Sequence, residues 1–381
     1  MKRRPTAFGY LLARDKRLTG VGVVSCPYDV IDQHPTRFGP YAVTNGVLYG
    51  TDGSSIVKSD DQGATWATLH TFAGTKVVGF LRMTSAGTFL AAIRNHPGDE
   101  ANASNDEGEL FRSTDNGATW TKVLDFLSGS PRYTGFDSLG DTVLIAEYGG
   151  RTLPNNASRI YRSTDDGATW GTPFQLDTGS ALHVHFVRFD PYVTDVVYAG
   201  TGDTIGSSLL WRSTDGGATF AAVFTAESDR RYRLTDAEFS EDSVYLGGDQ
   251  YIGNGERFGF YRLRKSDDQW SKMADVQGPV YRMRKDEQGR IWAVVQASPN
   301  VPVTPDPGGA DYASIFVLRN GAWREVVRLA GLGFSGGFWD LEMDGGYAYI
   351  RTNVLAVVPQ RGVIRIDQDA PFSTGGVLRS A

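Results

Sequence analysis

Four stretches decide the fold: Ser59-Asp60-Asp61-Gln62-Gly63-Ala64-Thr65-Trp66, Ser113-Thr114-Asp115-Asn116-Gly117-Ala118-Thr119-Trp120, Ser163-Thr164-Asp165-Asp166-Gly167-Ala168-Thr169-Trp170 and Ser213-Thr214-Asp215-Gly216-Gly217-Ala218-Thr219-Phe220. They share the pattern S-x-D-x-G-x-T-W/F, and their third-position aspartates stand 54, 50 and 50 residues apart. A shortened copy follows at Ser266-Asp267-Asp268-Gln269-Trp270 and a decayed one at Asn320-Gly321-Ala322-Trp323, so the aromatic outlasts the rest of the motif. An Asp two residues before a Gly suits a turn whose carboxylate accepts backbone N–H bonds while Gly takes positive φ without a Cβ clash. Ser and Thr hydroxyls close the same network, and the Trp or Phe opens the next strand with a large apolar surface. Asp61, Asp115, Asp165 and Asp215 are therefore read as structural. Identical turns in successive repeats are a poor design for a catalytic acid, and they lack the dense oxygen spacing of a calcium loop.

Strand-like runs fill each repeat. In the fourth, His183 to Asp190, the VVYAG run ending at Gly200, Leu209 to Ser213 and Phe220 to Phe224 make four short antiparallel strands. Four-stranded units at fixed spacing cannot bury both faces alone and must stack radially. Asp61 to Asp268 covers 207 residues in four steps, about 52 per unit, and 381 residues divided by that step is about seven. The expected fold is all-β: a β-propeller of four-stranded antiparallel blades, seven in number, with six as the runner-up. Residues 1–36 form an N-terminal segment that closes the ring, in which Phe8 to Ala13 and Val21 to Cys26 are the stretches able to supply the missing outer strand. Residues 37–381 carry the propeller, and the two make one domain.

Composition agrees. Gly at 46 of 381 and 12% aromatics favour short strands and tight turns over helices, and 40% hydrophobic content supplies a core. A net charge of −6 without a Lys/Arg run argues against a nucleic-acid partner. The single Cys26 excludes an intramolecular disulfide. The basic opening has its apolar stretch broken by Arg14, Asp15, Lys16 and Arg17, so no conventional export signal is read there. No apolar run reaches the roughly 20 residues of a spanning helix. The expectation is a virion-associated or cytoplasmic chain, without membrane insertion.

The octets resemble Asp-boxes, the bacterial neuraminidase repeats of sialidase-like β-propellers, a family that also includes propellers on bacteriophage tails. The resemblance implies a propeller and leaves activity open. In this family the Asp-box turns occupy one rim, and ligands usually meet the other rim or the channel mouth. That directs attention to long connections such as Asn95 to Gly108, Tyr148 to Ser158, Asp249 to Arg257 and Gln296 to Asp311. Arg151, Tyr251 and Arg257, with Arg230, Arg231 and Tyr232 nearby, are the expected ligand-binding residues.

A sialidase needs three convergent arginines, a Tyr activated by a Glu and an acid/base Asp. Arg82, Arg188, Arg282 and Arg284 fall on innermost strands, with Tyr281 and Glu147 elsewhere, but the Arg-Ile-Pro signature is replaced by Pro35-Thr36-Arg37-Phe38-Gly39-Pro40. Other glycosidases need two carboxylates, for which Glu147, Asp190, Asp236, Glu238, Asp340 and Glu342 are the candidates. Asp236 and Glu238, like Asp340 and Glu342, share a strand face. His183 and His185 also share one but lack an identifiable third ligand, so no metal and no cofactor is expected. Two functions follow. One is a noncatalytic recognition propeller for a glycan or protein surface, carried on a phage tail or virion. The other is a glycoside hydrolase using an inner-strand carboxylate pair.

Overall fold

The computed structural model describes residues 28–34, 37–74, 76–94, 108–127, 129–132, 134–148, 158–176, 183–202, 208–224, 232–249, 258–297, 312–330, 338–352 and 361–369. These residues form seven four-stranded antiparallel sheets and no helix. The blades run in chain order, and their innermost strands are Arg37–Thr44, Val77–Met83, Phe136–Leu139, His183–Phe189, Leu234–Phe239, Val280–Lys285 and Phe338–Asp344. We number them blades 1 to 7. Six blades, the runner-up expectation, is excluded.

Closure uses the two ends of the described chain. In blade 7 the outermost strand is Tyr28–His34, which pairs antiparallel with Arg361–Asp367. It lies just after the two stretches nominated for this role, which are themselves outside the described residues. Pairing the first strand with the last completes blade 7 from both ends of the chain and locks the ring shut, leaving only the short inner and outer edges of each blade.

The core lies between blades. Each apolar cluster straddles two successive sheets, as where Leu144 and Ile160 of blade 3 meet Val187 and Trp211 of blade 4. The motif aromatics sit in these seams: Trp120 packs on Phe72 and Phe89, and Trp323 stacks on Phe260 at 3.7 Å. This explains why the aromatic persists where the turn decays, since it fills space between sheets whatever the loop does.

The octet turns form the network that their residue types suggest. In the second copy Ser113 Oγ donates to Asp115 (2.7 Å), Gly117 N donates to Ser113 Oγ (2.9 Å), and Thr119 N donates to Asp115 (2.9 Å). The other three copies repeat it. Two consecutive residues have positive φ, not one: Asn116 at 58° and Gly117 at 85°. Only the second must be Gly, because a Cβ on Gly117 would meet Leu69 Cδ2 of the preceding blade at 2.6 Å. Hydroxyl and amide donors hold the four octet carboxyls at about 2, below their ordinary 3.8.

Candidate functional site

Six inner strands carry a register irregularity near their start, such as Val184/Phe186 and Val280/Arg282, a bulge that re-aims the residues after it. Downstream of that level, one residue per blade pairs with the equivalent position of the second strand. These are Ala42, Arg82, Asp137, Arg188, Glu238, Arg284 and Glu342. Around the channel the charge alternates from blade 2 to blade 7, and uncharged Ala42 takes the odd seventh place. Below the last three lie Asp236, Arg282 and Asp340, all fully buried.

Ion pairs join the two levels. Arg282 reaches Asp340 at 3.1 Å, Glu342 at 3.2 Å and Asp236 at 3.7 Å. Arg82 binds Asp340 at 2.9 Å, and Arg188 binds Asp236 at 2.7 Å. Backbone amides complete the clamps, since Asp236 accepts from Met283 N (2.9 Å) and Asp137 from Phe189 N (2.8 Å), each in the following blade. Burial pushes Asp137, Asp236 and Glu342 upward, while the arginines pull them back. Glu238 differs. It keeps some exposed surface, yet among the described residues it accepts no hydrogen bond and makes no ion pair. Burial raises its carboxyl to about 7, with Asp236 adding and Arg284 and Arg188 opposing.

A cavity of about 420 Å³ sits on this ring, and all seven ring residues line it. Its upper wall is Ser85, Leu139 and Pro191, in the turns between first and second strands. In an antiparallel blade those turns share an end with the turns between third and fourth strands, where the octets lie. Contact proves it, because Thr84 of one turn donates to Asp166 of the next octet at 2.6 Å. The cavity therefore opens on the octet rim.

The expected ligand-binding residues Arg151, Arg230, Arg231, Tyr251 and Arg257 lie outside the described residues. Tyr232 is described. Its ring is 5% exposed, stacked on Phe224 at 4.9 Å and edge-on to Trp270 at 5.2 Å, so it packs as core. Of the nominated carboxylates, Asp236, Glu238, Asp340 and Glu342 meet in the channel. Glu147 does not. It is buried within blade 3, accepting from Leu127 N and Tyr161 Oη and paired with Arg159 at 3.0 Å. Burial, reinforced by that carboxylate, drives the Tyr161 phenol up, the reverse of an activated nucleophile. Asp190 pairs with Lys265 at 2.6 Å. His183 stacks on Tyr148 at 3.7 Å, and His185 Nδ1 lies 2.9 Å from Leu234 O. No group of three or more His, Cys, Asp or Glu among the described residues is placed to hold a metal.

Two features escaped the sequence reading. Asp137 belongs to the ring, and only the blade register reveals it. Arg112, Arg162 and Arg212 each precede an octet Ser and reach the next blade's turn: Asp166 O at 2.9 Å, Gly216 O at 2.9 Å and Asp268 at 2.7 Å. Their recurrence at one motif position was the available signal.

No family model matches the sequence, and no curated protein matches it either. Among solved structures the fold is similar to that of the GH74 xyloglucanase from Xanthomonas campestris, with a TM-score of 0.54 and 16% identity over 85% of this chain and 52% of that one. The chain thus spans about half the length of that enzyme. The Niastella koreensis GH74 enzyme gives a TM-score of 0.46 at 15% identity, covering 91% of this chain and 67% of that chain. The likeness to the xyloglucanase is one of fold: a seven-bladed propeller resembling those of glycoside hydrolases.

Proposed function

We propose that this propeller is a noncatalytic recognition module for a glycan or a protein surface. One observation carries the reading. Three of the four channel carboxylates nominated for catalysis are bound to buried arginine, with Arg282 touching Asp236, Asp340 and Glu342 together. A glycosidase pair faces a gap of roughly 5 to 9.5 Å that substrate or water enters. Here a guanidinium lies between the carboxylates, and the arrangement fastens blades 5, 6 and 7 to each other. The Asp-box reading of the octets, and with it a place on a phage tail or other virion surface, belongs to the same proposal and rests on the sequence resemblance.

The runner-up, a glycoside hydrolase, has one observation in its favour: Glu238, which among the described residues accepts no hydrogen bond and makes no ion pair, and whose carboxyl burial raises to about 7, has the properties of a general acid. An assay on a panel of β-glucans and host-type glycans separates the two. Binding without release of reducing ends supports recognition. Turnover that vanishes in Glu238→Gln overturns it.

A further inference from the structure

We propose that the channel mouth on the octet rim is a saccharide subsite, built for a neutral sugar ring. The inference rests on the recognition reading in taking the ligand to be a glycan; it moves the site to the octet rim, opposite the face expected from sequence, and narrows the ligand to a neutral sugar.

The charge pattern selects the chemistry. Arg82, Arg188 and Arg284 alternate with Asp137, Glu238 and Glu342 on the cavity floor, so the lining carries three guanidinium groups and three carboxyl groups. An anionic ligand would meet three carboxylates, and a cationic one three guanidinium groups. A sugar hydroxyl donates to a carboxylate and accepts from an arginine at once, and a ring with several hydroxyls matches alternating donors and acceptors. The walls add apolar surface from Tyr41, Phe136, Phe189 and Phe239, against which the C–H faces of a pyranose can pack. A volume of about 420 Å³ falls within the usual range for small-ligand pockets, roughly 300 to 1,000 Å³.

One group is left for a ligand. Arg188 lines the cavity but is occupied, since its Nη1 donates to the carbonyls of Thr134, Phe136 and Val187 and its Nη2 holds Asp236. Glu238, in the next blade, keeps some exposed surface and among the described residues accepts no hydrogen bond and makes no ion pair. A ligand hydroxyl in the cavity would supply the donor that this carboxyl lacks. The lip faces solvent, since Leu139 on it is 48% exposed.

The test is ligand-observed NMR titration of the full chain with glucose, galactose, cellobiose and lactose, beside glucuronate as a sugar acid and glycine as a zwitterion. The expected result is saturable binding of at least one neutral sugar, tighter than glucuronate or glycine. Glu238→Gln should weaken it about tenfold, the loss of one charge-assisted hydrogen bond. Leu139→Trp, an exposed change that narrows the mouth, should weaken it too, and decides the matter if Glu238→Gln does not fold. Preference for glucuronate or glycine overturns the ligand class. Sugar binding untouched by either folded variant overturns the location while leaving glycan recognition standing. Binding of no glycan, with capture of a protein surface instead, overturns this subsite but not the recognition function, whereas turnover of glycan refutes that function itself.

Discussion

The octet turns and the channel ring occupy the same end of the molecule and rely on the same residue, a carboxylate, in opposite ways. Each octet Asp finds its donors within four residues, on neutral hydroxyls and amides, and stays near the surface. The acids just below the ring, Asp236 and Asp340, are buried, and their partners come from other blades, with Asp236 and Met283 47 residues apart and Arg82 and Asp340 258 apart. A locally satisfied carboxylate can be copied from blade to blade and read from one repeat. A ring carboxylate has meaning only once seven blades have closed.

The sharpest way to break this contrast is to remove the arginine at the centre of the charge network beneath the ring. Arg282 is fully buried, and Arg282→Met leaves Asp236, Asp340 and Glu342 short of a shared counter-ion. Breaking one side of a buried ion network costs about 3 to 5 kcal/mol, so urea unfolding should show a loss of that order. Stability equal to wild type would mean that the channel charges are solvated and the network is incidental.

A second comparison lies within a single octet. Gly216 and Gly217 both have positive φ, 68° and 85°, but a Cβ on Gly216 meets nothing closer than 3.4 Å, whereas one on Gly217 strikes Leu144 at 2.7 Å. The other octets place Gln62, Asn116 and Asp166 at the first position with φ of 60°, 58° and 54°. Gly216→Asn should therefore change the melting temperature little, while Gly217→Ala should cost about 1 to 3 kcal/mol through overpacking and backbone strain. Equal effects at the two sites would refute the division of labour.

This contrast also explains what was legible in the sequence. The octets, the blade repeat, the seam aromatics and the seven-fold count could all be read because each depends on spacing inside one repeat. Asp236, Glu238, Asp340 and Glu342 could be nominated from alternation along a strand. Their partners could not, because Arg282 reaches its carboxylates through the bulge at its own strand and the order of blades around the channel. The packing of Tyr232 was hidden for a related reason: nothing in its own repeat shows that the fold turns its ring onto Phe224 and Trp270.

A milder change tests whether the octet carboxylate matters as a charge. In Asp115→Asn the Oδ1 that accepts from both Ser113 Oγ and Thr119 N is kept, while the Oδ2 that accepts from Thr119 Oγ1 becomes an amide donor. The melting temperature should fall by less than in Gly217→Ala, because the site is open to water, which replaces lost acceptors. Ligand binding per folded molecule should be unchanged. If binding is lost and the melting temperature is not, the octet rim is contacting ligand directly.

The smallest effect is the pH profile, where the two regions pull in opposite directions. The octet carboxyls titrate at about 2 when folded and 3.8 ordinarily, so the unfolded chain binds their protons first as pH falls. Their stabilisation is complete above about pH 4 and is lost as pH drops through about 2. Glu238 has the reverse sign. Its folded value of about 7 lies above the ordinary 4.5, so between these limits the folded protein holds a proton that the unfolded chain has released. Stability from this group must decline as pH rises from 4.5 to 7, and the upward shifts of Asp137, Asp236 and Glu342 add to that decline. Melting temperatures from pH 2 to 8 should thus pass through a maximum near pH 4 to 5. Glu238→Gln should flatten the upper limb between pH 5 and 7 and leave the lower limb intact. A variant whose upper limb keeps the wild-type slope would place Glu238 in ordinary solvent and remove the distinction between the two kinds of carboxylate at this rim.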